Sequence, residues 1–203
     1  MSTTRLLLLG AVRIFQPVHG YLLRRELLSW QVEEWAHVKP GSIYSGLRTL
    51  VSHGLLAEIP GEPMSYRLTP DGEMEFRRLL VGALREPDPG DASRLLGGLC
   101  FMTELTRAEV REALRARALV LEAAASASSA TVRSLQESRL APASTVELSF
   151  VVGHWLEGER TWVREFCDRL DTGHYRFAGD PGAPDRPVDG LWPPAVHDAP
   201  TSP

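Results

Sequence analysis

One stretch constrains the first part of this chain more than any other. Between Pro40 and Gly54, Ile43, Leu47, Leu50 and Val51 recur at the i, i+4, i+7, i+8 spacing of a helix with a single buried stripe. Proline is favoured at the first helical position and glycine just past the last, so the sequence marks both ends. The opposite side carries Gly41, Ser45, Arg48 and Ser52, with Ser42, Tyr44 and Thr49 toward its edges. A small, hydroxyl-rich face with one guanidinium suits insertion between two walls of phosphate, and it also suits an ordinary solvated surface.

The neighbouring segments narrow that choice. Upstream, Thr4 opens a helix through Leu6, Leu9 and Ile14 that Pro17 stops, and His19 to Trp30 forms a second helix with Leu22, Leu23, Leu27 and Leu28 on one face. Downstream, Leu55–Ile59 and Ser65–Leu68 have the composition of short strands, separated by Pro60, Gly61, Glu62 and Pro63. Three short helices followed by a hairpin describe a winged helix-turn-helix. Thr69 and Pro70 then cap a fourth helix with Phe76, Leu79, Leu80, Ala83 and Leu84 on one side.

Pro87 to Gly90 is rich in Pro, Gly and Asp and places a boundary between residues 1–86 and 91–172. A short apolar helix is expected over Ala92–Glu104. Thr106 and Glu109 then form a capping box with Leu105 and Val110 as its hydrophobic staple. Leu114, Ala118, Leu121, Ala125, Ser128, Val132 and Leu135 step alternately by four and three residues, the spacing of a coiled-coil seam. Pro142 closes this helix, and Ser144-Thr145-Val146-Glu147 reads as the cap of another, with Leu148, Val151, Trp155, Trp162, Phe166 and Leu170 inward. The expected fold is therefore mainly α: a winged helix-turn-helix N-terminal domain plus a C-terminal antiparallel helical domain suited to dimerisation. Residues 173–203, rich in Pro, Gly and Asp without periodicity, read as a disordered tail.

Charge excludes a protein coated in positive potential, because the net charge is -4. Residues 1–86 hold ten Lys and Arg against nine Asp and Glu, whereas residues 87–203 hold twelve against seventeen. The slight basic bias thus falls on the winged-helix part. Leu6–Val12 is too short for a membrane span and lacks an Ala-x-Ala cleavage pattern, so a cytoplasmic protein without membrane contact is expected. Cys100 and Cys167 have no paired spacing, which leaves two reduced thiols as the expectation, with redox sensing as a variant, and no metal or other cofactor. His154, Glu157, Glu159 and Cys167 lie close in sequence, yet no third ligand or nucleophile-base spacing accompanies them, so catalysis is not expected.

Three stretches together resemble the PadR family of bacterial transcription regulators: His19-Gly20-Tyr21, Pro40-Gly41-Ser42-Ile43-Tyr44 with Leu47, Leu50 and Gly54-Leu55, and Tyr66-Arg67-Leu68-Thr69 with Gly72. The capped helices after residue 105 look like the longer C-terminal domain of one subgroup. The resemblance implies a homodimer held by the C-terminal helices, a third helix in the major groove, and repression relieved by a small molecule. Two such helices about 34 Å apart imply an inverted-repeat operator on double-stranded DNA.

By the same resemblance Ser42 and Tyr44 meet the DNA backbone or base edges, while His19 and Tyr21 approach a phosphate. Packing with a wet hydroxyl is the alternative for both tyrosines. Lys39, the single lysine of the chain, immediately precedes the third helix, within reach of phosphate. Arg48 is the leading base-reading candidate, since its planar fork matches the two acceptors of guanine. Gly41, Ser45 and Thr49 share that face, and Ser65 and Arg67 are the candidates on the wing. The wing tip departs from the family pattern, with Glu58 and Glu62 and no base before Arg67, which equally suits a protein-protein interaction module. Phe101, Met102, Trp155, Trp162 and Phe166 are candidates for a small hydrophobic effector, plain core being the alternative.

Overall fold

A computed structural model describes residues 3–138, 142–173 and 175–181. Its packing divides the chain into two units between Leu80 and Val81, upstream of the Pro87–Gly90 stretch and inside one helix.

The first unit is built around α1 (Thr3–Phe15). Leu6 to Val12 are all buried, so the apolar run that is too short for a membrane becomes a central core helix, apolar on every side. No described helix is long and apolar enough to cross a membrane. Around α1 stand α2 (Gly20–Ser29), the single-turn α3 (Val32–Trp35) and α4 (Pro40–Ser52). Ile43, Leu47 and Leu50 of α4 are buried, as their spacing predicts. Gly54, at φ 72°, ends this helix in the left-handed region that glycine enters without steric cost.

The wing pairs β2 (Leu56–Ile59) with β3 (Ser65–Leu68), antiparallel, with Leu56 opposite Leu68 and Ile59 opposite Ser65. A third strand joins them: β1 (Val18–His19) pairs with β3 through Val18 and Tyr66 and through His19 and Ser65. The sheet order β1-β3-β2 completes the winged helix-turn-helix. Two residues are too few to show an alternating pattern, which is why β1 has no sequence signal of its own. The Thr69 hydroxyl caps α5 (Pro70–Arg85) by accepting the Gly72 N–H at 3.0 Å. Gly72 lies so close to the Leu55 carbonyl oxygen that a Cβ would overlap it.

The second unit opens with α6 (Ser93–Phe101) and a 3-10 turn at Met102–Glu104, followed by α7 (Arg107–Ser138) and α8 (Ala143–Leu170). The capping box forms: the Thr106 N–H donates to Glu109 Oε2 at 2.9 Å, and the Glu109 N–H donates to the Thr106 hydroxyl at 3.3 Å. Helices α7 and α8 pair antiparallel, with Arg107 bonded to the Leu170 carbonyl, Arg117 to Glu159 and Ser128 to the Ser149 carbonyl. All seven predicted seam residues of α7 are buried or half-buried.

Helix α8 departs from its sequence reading in two ways. It starts at Ala143 after Pro142, with no side-chain cap, so Ser144-Thr145-Val146-Glu147 lies inside the helix. Leu148, Val151 and Trp155 are exposed, Trp155 by 61 %. The inward positions are Leu156, Val163, Phe166 and Leu170 at one end, and the half-buried Ser149 and Gly153 at the other. The cause is on α7, where Ala125 and Ser128 offer only small side chains: a Cβ on Gly153 would lie 3.3 Å from Ser128 Oγ. Small residues facing small residues bring the helices together and turn the large ones outward.

Part of the stretch read as a disordered tail is packed. Phe177 is fully buried with the Arg107 guanidinium 4.8 Å from its ring centroid, and Arg107 also bonds Asp180 at 2.7 Å and the Tyr175 carbonyl at 2.9 Å. Residues 182–203 lie outside the described residues.

Candidate nucleic-acid interface

The candidate residues of the first unit fall on four elements, β1, α2, α4 and β3, with Lys39 immediately before α4. His19 follows from strand pairing: opposite Ser65, its Nδ1 lies 2.9 Å from Ser65 Oγ and 3.3 Å from the Met64 carbonyl. The Ser65 hydroxyl can donate to or accept from this nitrogen, and through it the imidazole ties the start of α2 to the base of the wing. Tyr21, two residues on, is 64 % exposed. A ring with that much surface in water is not core packing, the alternative its sequence left open.

Tyr44 sits across the same corner. Its Cε1 is 3.2 Å from where a Gly20 Cβ would stand, so the ring covers the first turn of α2 with its other side outward. Along α4 each serine and threonine hydroxyl is turned back onto its own helix: Ser42 to the Lys39 carbonyl at 2.7 Å, Ser45 to the Ser42 carbonyl at 3.0 Å, Thr49 to the Ser45 carbonyl at 3.0 Å and Ser52 to the Thr49 carbonyl at 2.9 Å. These exchangeable bonds keep the face thin, and Gly41 beside them is exposed. The backbone of α4 can therefore approach a partner closely, with hydroxyls free to rotate toward phosphate. Lys39 at the helix start provides no side-chain cap.

Lys39, Arg48 and Arg67 are all exposed, and none makes an ion pair among the described residues. Arginines on α1 and α5 behave otherwise: Arg5 pairs with Glu75 at 3.3 Å and Arg13 with Glu73 at 2.9 Å. Tyr66 is a member of this surface that the sequence reading does not select. It lies on β3 opposite Val18 and Glu58, half-buried. Burial pushes its phenol above the ordinary tyrosine range; Glu58 adds to the rise while Arg48 opposes it, which puts Arg48 beside the wing. Strand alternation places Tyr66 on the same face as buried Leu68, and that signal reads as core. The wing tip itself stays acidic, with exposed Glu58 and Glu62.

A search of protein-family profiles finds no match, and a search of curated proteins finds none. Solved structures do match. Among them are PadR and PadR-like regulators. The Bacillus subtilis PadR complex with operator DNA is similar over 84 % of this chain and 99 % of that one, at 20 % identity and a TM-score of 0.37. The same protein with p-coumaric acid matches 83 % of this chain and 96 % of that one, at 18 % identity and a TM-score of 0.37. A PadR-like transcriptional regulator from Bacillus cereus matches 82 % and 97 %, at 19 % identity and a TM-score of 0.32.

The effector candidates do not gather around one space. Phe101 and Met102 are buried at the end of α6, while Trp162 stacks on Phe166 with centroids 5.1 Å apart, backed by Tyr175. Trp155 stands apart in solvent. Of the residues weighed for catalysis, Glu159 is taken up by Arg117. Burial pushes the Cys100 thiol up to about 11 and raises that of Cys167, so both are protonated near neutrality and poor nucleophiles.

Proposed function

We propose that this chain is a homodimeric, sequence-specific transcription regulator of the PadR type that binds double-stranded DNA through α4 and the start of α2. One observation carries the reading: exposed cations, hydroxyls and two outward tyrosines share the thin surface of a winged helix-turn-helix, and its three cations have no carboxylate partner among the described residues. Such a surface lowers its free energy by meeting phosphate and releasing counterions. Residues 1–86 form the DNA-binding domain. His19, Tyr21 and Lys39 contact backbone phosphates, Ser42, Tyr44 and Arg48 lie toward base edges, and Ser65 and Arg67 flank them from the wing.

Residues 91–172 supply the dimer contact. Leu148, Val151 and Trp155 follow one another by three and four residues, an exposed stripe on α8 away from its α7 seam. Exposed apolar side chains in a row mark a surface that a second copy covers. The reading includes repression, relief by a small-molecule effector and a cytoplasmic location, with no catalysis and no cofactor.

The test is selection from a pool of random duplexes by the purified protein. An inverted repeat with half-sites about one helical turn apart, roughly 34 Å, is the expected outcome. If no sequence is enriched, the acidic wing favours the second reading, a winged helix that binds another protein.

A further inference from the structure

The other flank of the α7 and α8 pair holds a cleft of about 380 Å³, open to solvent, lined by Ala125, Ser128, Ser129 and Val132 from α7 and by Ser149, Phe150, Gly153, His154 and Glu157 from α8. It exists because the seam changes size along its length. Leu121 and Leu156 are buried toward one end of the seam and Val132 toward the other, while between them Ala125, Ser128, Ser149 and Gly153 bring the helices into contact and their short side chains leave an open cleft along the flank.

The polar groups of its wall are predominantly acceptors. The Ser128 hydroxyl donates to the Ser149 carbonyl at 3.4 Å, and the Ser149 hydroxyl donates to the Thr145 carbonyl at 3.2 Å. His154 Nδ1 lies 2.8 Å from the Phe150 carbonyl, so this nitrogen bears a proton and, in the neutral imidazole, Nε2 presents a lone pair. Glu157 adds a carboxylate. Its neighbour Arg160 spends both Nε and Nη2 on that carboxylate, at 2.9 and 2.7 Å, and Arg164 Nη2 lies 3.9 Å from it; the hydrogen bond from Arg160, with the charges of both guanidiniums, holds the Glu157 carboxyl below its usual range, hence ionised. Phe150 and Val132 supply apolar surface beside these acceptors.

We propose that this cleft is a binding site for a small amphipathic amine, whose N–H groups meet Glu157, His154 Nε2 and the serine oxygens while its apolar body rests on Phe150 and Val132. A carboxylate of the same size finds few free donors there. The site lies wholly within the second unit and is independent of DNA binding.

The test is ligand-observed NMR titration of the full chain with phenethylamine and, in parallel, with 3-phenylpropionate. Saturable binding of the amine, one per chain, without binding of the acid is the expected result. Glu157→Gln should weaken the amine about tenfold by removing a charge-assisted acceptor. Ser129→Phe, at an exposed position of the wall, should abolish binding by filling the space. Equal or tighter binding of the acid, no saturable binding of either probe, or amine binding indifferent to both substitutions would overturn the proposal.

Discussion

Basic side chains are used in opposite ways on two surfaces of this protein. On α4 and the wing, Lys39, Arg48 and Arg67 extend into solvent without ion pairs among the described residues. On the helical pair of the second unit, Arg107, Arg111, Arg117 and Arg160 each bond a carboxylate, of Asp180, Asp171, Glu159 and Glu157. A hydrated, unpaired guanidinium contributes little to folding and is available to an anionic partner. A buried or paired one contributes to the fold and is unavailable. The contrast separates the cations that bind from those that build, and each half can be broken separately.

The largest effect is expected at Arg117, which is 2 % exposed. Its Nη1 donates to the carbonyls of Ala83, Leu84 and Glu86 at 3.1, 3.3 and 3.0 Å, capping the C-terminal end of α5, while Nε holds Glu159. Arg117→Ala strands these acceptors and should cost about 3–5 kcal/mol, read as a lower denaturation midpoint. Phe177→Ala should cost about 3 kcal/mol by opening a cavity beneath Arg107, and should show first as increased proteolysis near the C-terminal end of α8. Trp155→Ser leaves the folded chain intact and weakens self-association by about 2 kcal/mol or more, measured by sedimentation; an unchanged dimer would remove the α8 stripe from the interface. The smallest effect is chemical: at pH 7.5 Cys100 should react with iodoacetamide far more slowly than free cysteine, gaining rate only as pH rises toward 11.

Much of the first unit was legible because its signals are local. Pro40, Gly54 and the Ile43 stripe delimit α4, and the Pro60–Pro63 interruption delimits the wing. Tyr66 was hidden because strand alternation groups it with Leu68, and its approach to Arg48 is a tertiary fact. Helix α8 was misread for a related reason. Side-chain size selects Leu148, Val151 and Trp155 as core, but which face is buried depends on the small residues of α7 opposite it. The cleft beside His154 arises from that same matching of two helices, and neither helix alone shows it. Phe177 and Asp180 follow a helix in a Pro/Gly/Asp-rich stretch, where composition outweighs two anchoring contacts.

The most direct test of DNA readout through α4 is fluorescence anisotropy with the duplex upstream of the protein's own gene, at two salt concentrations, for wild type and Arg48→Ala. Specific, salt-sensitive binding that the substitution weakens by about 10- to 100-fold, with unchanged thermal stability, is the predicted result. Binding that is indifferent to both salt and Arg48, or absent from that duplex and every selected one, would contradict the account.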